Sequence, residues 1–239
     1  VGSGALGGAS YAATGNTAIG YQAGAAITTG ASTVLVGDYA GDAITTGTGN
    51  VLMGSAAGGA ITTGGYNTFM GYNAGDALTT GGSNTLVGSN AGGALTTSQY
   101  STAIGTNALL VATTGDSNTM VGWGAGDAIT TGASNVGVGH GALGGVTTAS
   151  GNIAVGHLAG LNLTTASNNI FIGNTAGQAE TDGAENVVIG SLASPAADGA
   201  SNNVIIGYNA GNDITDALNS VAIGSGAMAL NTSADGNVC

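Results

Sequence analysis

Short apolar runs punctuate this chain, and each ends at a glycine. Thirteen of these glycines stand 17 residues apart without interruption, from Gly20, Gly37 and Gly54 through to Gly190, Gly207 and Gly224. Gly2 opens an earlier period that is one residue longer. An unbroken period means that every repeat covers the same length of path, as stacked coils require. The residue before the glycine is always Ile, Val or Met, and the residue three before it is always Thr, Val or Ile. Side chains alternate along a strand, so these two columns share a face, and β-branched residues suit a pleated surface. A strand of about four residues is therefore predicted to end at each glycine.

Four positions before the glycine stands Asn in ten of thirteen repeats, among them Asn16, Asn50, Asn67, Asn84 and Asn118. Three after it is Ala in every repeat, from Ala23 to Ala227, and eight after it is Thr in all but one, with Asp198 the exception. Stacked Asn and Thr columns predict hydrogen-bonded ladders along the stack. The Ala column predicts an inward position with room for a methyl group only. A second short strand is expected around each Ile-Thr-Thr, followed by a Gly/Ser/Asn turn, with Gly and Asn suited to the corners because they tolerate positive φ. A helical reading fails, since glycine this frequent costs about 1 kcal/mol per residue in a helix interior. The expected fold is all-β, a parallel β-solenoid of about fourteen 17-residue coils spanning residues 1–239 as one repeat segment.

The column two before the glycine changes the picture. Leu35, Leu52, Phe69, Leu86, Met120, Phe171, Val188 and Ile205 belong to it, and none of its thirteen members is polar. With the flanking columns taken as inward, this one points outward, and a strand apolar on both faces is buried on both. Left bare, it would make a stripe about 60 Å long at roughly 4.8 Å per coil, larger than monomers normally expose. These eight residues are expected to form the interface of a parallel homo-oligomer, a trimer.

Segments such as Asn219-Ser220-Val221-Ala222-Ile223-Gly224, Asn16-Thr17-Ala18-Ile19-Gly20 and Asn152-Ile153-Ala154-Val155-Gly156 resemble the repeat of YadA-type trimeric autotransporter adhesin heads and of some phage fibres. The resemblance covers essentially the whole chain. It implies three chains, each a left-handed β-roll, packed around a threefold axis in an extracellular or virion fibre. Coils in that family are typically shorter, and the Ile-Thr-Thr-Gly stretch lengthens the outer half here. The register still runs at Asn237, Val238 and Cys239, which predicts a segment of a longer fibre protein.

Composition narrows the partners. The 239 residues include 48 Gly, 1 Pro and no Lys or Arg, for a formal net charge of −12. Without basic side chains there is no means of gripping a phosphate backbone or an anionic membrane, so neither nucleic acid nor membrane is expected as a partner. No apolar run approaches the roughly 20 residues of a transmembrane helix, and no basic leader opens the chain. Cys239, the sole cysteine, reads as a small buried hydrophobe.

Candidate chemistry is sparse, and no cofactor and no enzyme activity are expected. Glu180, Asp182 and Glu185 form the one compact acidic group, read as a solvated turn; paired carboxylates of a glycan-cleaving tailspike are the alternative. His140 and His157 occupy one column in successive coils, and a metal between them is a minor alternative. Tyr21, Tyr72, Trp123 and Tyr208 share that column, one past the glycine, and offer amphipathic rings to a glycan or cell-surface receptor. The leading expectation is a structural shaft or head that spaces or presents a binding tip. Ice binding by a Thr ladder is a further alternative, disfavoured because adjacent Thr residues should put one of each pair inward.

Overall fold

The computed structural model describes residues 2–9, 12–194, 199–212, 218–228, 236 and 238. Asp198, Asp213, Asp216, Asp235, Asn237 and Cys239 lie outside these described residues. The chain divides into two compact units, Val1–Asn118 and Thr119–Cys239. Each is a stretch of parallel β-solenoid, and neither contains a helix among the described residues.

The first unit carries β1 (Thr17–Ile19), β2 (Val34–Val36), β3 (Val51–Met53), β4 (Thr68–Met70), β5 (Thr85–Val87) and β6 (Thr102–Ile104). The second carries β7 (Thr119–Val121), β8 (Val136–Val138), β9 (Ile153–Val155), β10 (Ile170–Ile172), β11 (Val187–Ile189), β12 (Val204–Ile206) and β13 (Val221–Ile223). Within each unit every strand pairs in parallel with the next, one period on in register, as in Thr17 with Val34 and Val204 with Val221. Val238 bridges to Val221, so the register continues past β13. All strands are three residues long and end where the repeat predicts, before the invariant glycine.

That glycine is fixed by two constraints. At Gly54, for example, φ is 142°, and an added Cβ would collide with the carbonyl of Gly71 in the next coil. A left-handed backbone and the close approach of successive coils both exclude a side chain.

Three columns fill the coils among the described residues, apart from the Glu180 coil. They are the middle residue of the strand, the Ala three past the glycine, and the aliphatic residue seven past it: Leu52, Ala57 and Ile61 in one coil, Leu86, Ala91 and Leu95 in another, all fully buried. The inward Ala is as expected. The strand phase is not. Leu35, Leu52, Phe69, Leu86, Met120, Phe171, Val188 and Ile205, expected at a partner interface, are buried inside their own coils. The columns on either side of them, expected inward, face out: Ile19 is 52% exposed and Met70 42%. A strand turned over by one residue exchanges its whole face; the five Thr among the residues three before the glycine, against no polar residue in the middle column, mark the outer face.

The Asn ladder forms and is buried. Asn67 donates from Nδ2 to Asn50 Oδ1 at 3.1 Å and to the Gly81 carbonyl at 3.1 Å, while its own Oδ1 accepts the Asn84 backbone N–H at 3.0 Å. Each amide thereby ties three coil segments, and no buried side-chain N or O among the described residues lacks a partner. Buried polar groups are tolerated on that condition. The expected second strand is absent among the described residues: Ile-Thr-Thr is a bend. Its backbone is nonetheless laddered, since the Thr45 carbonyl accepts the N–H groups of Thr28, Thr29 and Gly30 at 2.9, 3.1 and 3.1 Å. The first Thr of each pair adds its hydroxyl, as Thr28 Oγ1 does to the same carbonyl at 3.0 Å.

Candidate functional site

The column one past the glycine leaves the core as the backbone turns, so its side chains stand outward. Tyr21, Tyr72, Trp123 and Tyr208 are all exposed, as a ligand-presenting column requires. They do not come together as one aromatic surface. Tyr21 and Tyr72 lie in the first unit, Trp123 and Tyr208 in the second. Tyr21 meets Tyr39 edge to face, with centroids 5.3 Å apart and planes at 80°.

Trp123, His140 and His157 do form a cluster. The Trp123 and His140 rings stack at 4.9 Å and 13°, and His140 and His157 at 5.2 Å and 28°. Coil repetition delivers this geometry: residues one period apart stand one strand spacing apart, so flat side chains in one column lie face to face. The stack weighs against a metal held between the two histidines. A ring nitrogen's lone pair lies in the ring plane, whereas the neighbour lies across the ring face, so a shared ion at about 2.1 Å from each has no place between near-parallel rings.

Beside this stack the second unit has a groove of about 310 Å³, lined by Trp123, Asp127, His140, Leu158, Leu161 and Asn162 together with four glycines. Gly124, Gly141 and Gly144 make the space, whereas at Gly145 an added Cβ would meet the Leu161 carbonyl at 2.5 Å. Gly124 and Gly141 stand two past the invariant glycine, where Leu158 carries a side chain one coil later. Gly144 and Gly145 stand five and six past it, where the next coil has Leu161 and Asn162. Asp127 at the wall is half-buried, and loss of solvation pushes its carboxyl above the usual carboxylate range against backbone hydrogen bonds from itself and Ala128 that lower it. No Lys or Arg exists in the chain to offset that charge.

Neither this groove nor the outward aliphatic face of the strands is among the expectations drawn from the sequence. The signal for the groove was present: glycine replaces side chains in two columns of adjacent coils. Two other expectations change. Glu180 is not solvated; it is buried in the aliphatic column, its Oε1 accepting the Gly183 N–H at 2.6 Å and the Gly199 N–H at 3.0 Å. Asp182 and Glu185 are exposed, so the three acids do not share one environment. The Thr pairs also differ from expectation, because neither member turns inward: Thr96 is half-buried and Thr97 exposed, as are Thr79 and Thr80.

No family model matches the chain, and no curated protein matches it.

The strongest surface feature is the outward strand face. In the first unit it runs through Ile19, Val34, Met53, Met70 and Ile104, and in the second through Val138, Ile153, Val155, Ile172 and Ile223, all exposed. No charged residue interrupts either column.

Proposed function

We propose that this chain is a shaft or head segment of an extracellular or virion fibre, assembled from parallel copies of itself packed through the outward strand face. The observation that supports this is the uncharged aliphatic face present in both units. Every strand adds at least one apolar side chain, and all but one of those in the second unit add two; solitary proteins do not normally leave such a face to water. The five exposed aliphatic residues in each unit present roughly 50–100 Å² apiece, on the order of 250–500 Å² before their half-buried neighbours are added, a substantial part of the 800 Å² per partner of a stable interface.

The occupant is a further copy of the chain. A copy matches the periodicity along the whole face, since its coils repeat at the same spacing. The acids lie outside these columns, so the −12 charge of each copy is not driven into the contact. Three copies follow from the resemblance of the repeat to trimeric adhesin heads and phage fibres, and such a bundle spaces or presents a host- or surface-binding tip. Light scattering of the folded protein is expected to give three times the 22.2 kDa chain mass. Val87→Asp with Ile104→Asp, both outward in the first unit, should shift it toward the monomer with the strand signal retained. A folded wild-type monomer would overturn the assembly.

A second reading has one observation in its favour. The exposed Thr residues from Thr29 to Thr114 form an uncharged column, each beside a half-exposed or exposed Thr, and regular Thr rows suit ordered water. Thermal hysteresis of the purified chain tests ice binding; none at any concentration removes it.

A further inference from the structure

The groove beside Trp123 has no part in the assembly described above, because none of its lining residues belongs to the outward strand columns. We infer that it is a binding subsite for one neutral saccharide ring, carried on the flank of the second unit.

Size comes first. At about 310 Å³ the groove stands at the lower end of small-molecule sites, enough for a single six-membered ring with its substituents. The lining offers an apolar wall and several polar groups at its margins. Leu158 and Leu161 supply the apolar surface, Asp127 an acceptor, Trp123 an N–H donor, and Asn162 an amide able to do both. That is the complement of a pyranose, which has apolar C–H faces and a rim of hydroxyls that each donate and accept.

Competing ligand classes fit less well. A cation prefers the face of an aromatic ring, yet Trp123 and His140 cover each other's facing surfaces and His157 covers the other side of His140. What remains at the side of His140 is ring edge, the positive part of the quadrupole. A hard metal ion needs six or more oxygens, and Asp127 is the one carboxylate in the lining. An anion would meet Asp127 with no Lys or Arg to hold it. A neutral polyol has none of these conflicts, and its hydroxyls satisfy the half-buried carboxylate without a counter-charge.

Gly144 keeps the groove open. Leu161 occupies the position of Gly144 one coil on, so the coil accepts leucine there. At Gly144 an added Cβ would approach Leu161 Cδ1 at 3.0 Å, the Gly141 carbonyl oxygen at 3.2 Å and Asp127 Oδ1 at 3.4 Å; a side chain there packs tightly and fills the groove from within.

Trp123 is the one tryptophan in the chain, so its fluorescence reports this site alone. The full-length chain would be titrated with the methyl glycosides of glucose, galactose, mannose and N-acetylglucosamine, up to about 100 mM, well above the about 1 mM dissociation constant of a weak single-ring site. At least one should give a saturable change. Gly144→Leu, its fold checked by circular dichroism, should abolish it. Asp127→Asn, which leaves the groove open, should weaken it about tenfold. Absence of saturation with all four sugars would overturn the inference, as would an unchanged response in Gly144→Leu, or saturation by choline in place of the glycosides. None of these outcomes bears on the oligomer mass, so the subsite and the fibre assembly stand or fall separately.

Discussion

Ser98 and Ser101 replace the usual Gly and Asn of the buried ladder, and their pairing yields a double-mutant test. In a standard coil the Asn amide donates to the carbonyl 14 residues later, as Asn84 Nδ2 does to Ser98 at 2.8 Å. Ser101 is too short to reach Gly115 in the same way. The Ser98 hydroxyl donates to the Gly115 carbonyl instead, at 2.6 Å, and lies 3.2 Å from Ser101 Oγ, with both serines fully buried. Ser98→Gly therefore strands a buried carbonyl, costing about 1–3 kcal/mol, plus about 0.5–1 kcal/mol for glycine entropy. Ser101→Asn drives a carboxamide into the space of the Ser98 side chain, an overpacking cost of about 1–3 kcal/mol. Together the changes rebuild the standard coil. The introduced asparagine reaches Gly115, and its Oδ1 takes the Asn118 N–H that Ser101 Oγ now accepts at 3.3 Å. The double variant should lie within about 1 kcal/mol of the parent, a coupling of roughly 1.5–3 kcal/mol in favour of the pair. Urea unfolding followed by circular dichroism measures all four proteins. Additivity within about 0.5 kcal/mol would refute the compensation.

Three further outcomes follow from the geometry. Leu52→Ala, which empties a fully buried site in the coil core, should cost about 2–5 kcal/mol, read from the same urea curves. Val51→Ala at the adjacent outward position should act mainly on oligomer mass, and equal losses of stability would mean the strand phase is wrong. Tyr100 is 65% exposed with φ of 59°, a left-handed conformation that Gly49 adopts at the matching corner three coils earlier. Tyr100→Gly should therefore be neutral or raise the melting temperature, because relief of about 1–2 kcal/mol of backbone strain outweighs the added chain entropy; a drop of several degrees would count against it. Asp42, Asp76 and Asp127 have carboxyl pKa values raised from 3.8, first by burial. The folded chain then holds more protons than the unfolded chain, so their contribution is full below the ordinary Asp value and fades as pH rises through the raised folded values. Melting temperature should climb as pH falls from 7 toward 4, and Asp42→Asn with Asp76→Asn should flatten that climb.

The sequence by itself determined the period, the strand positions, the parallel register, the inward Ala and the Asn ladder. Each follows from spacing alone, because stacking residues at one interval forces column on column, and a column of buried amides must bond along the stack. Which strand face is interior was only weakly marked in it. Leu52 and its neighbours Val51 and Met53 are all apolar, and the sole sign is the Thr that replaces the flanking residue at Thr17, Thr68, Thr85, Thr102 and Thr119 while the middle column stays apolar. The tertiary structure decided it through the corners: turning the chain at the invariant glycine brings Leu52 over Ala57 and Ile61 and leaves Val51 and Met53 outside. The same turn placed Glu180 in the core, since its column is aliphatic in the coils before it. It also kept both Thr of each pair at the surface, because the segment is a bend and does not alternate as a strand would. The groove beside Trp123 depended on the fold as well. Its glycines and its walls come from successive coils, and only stacking converts missing side chains at Gly124, Gly141 and Gly144 into one shared space.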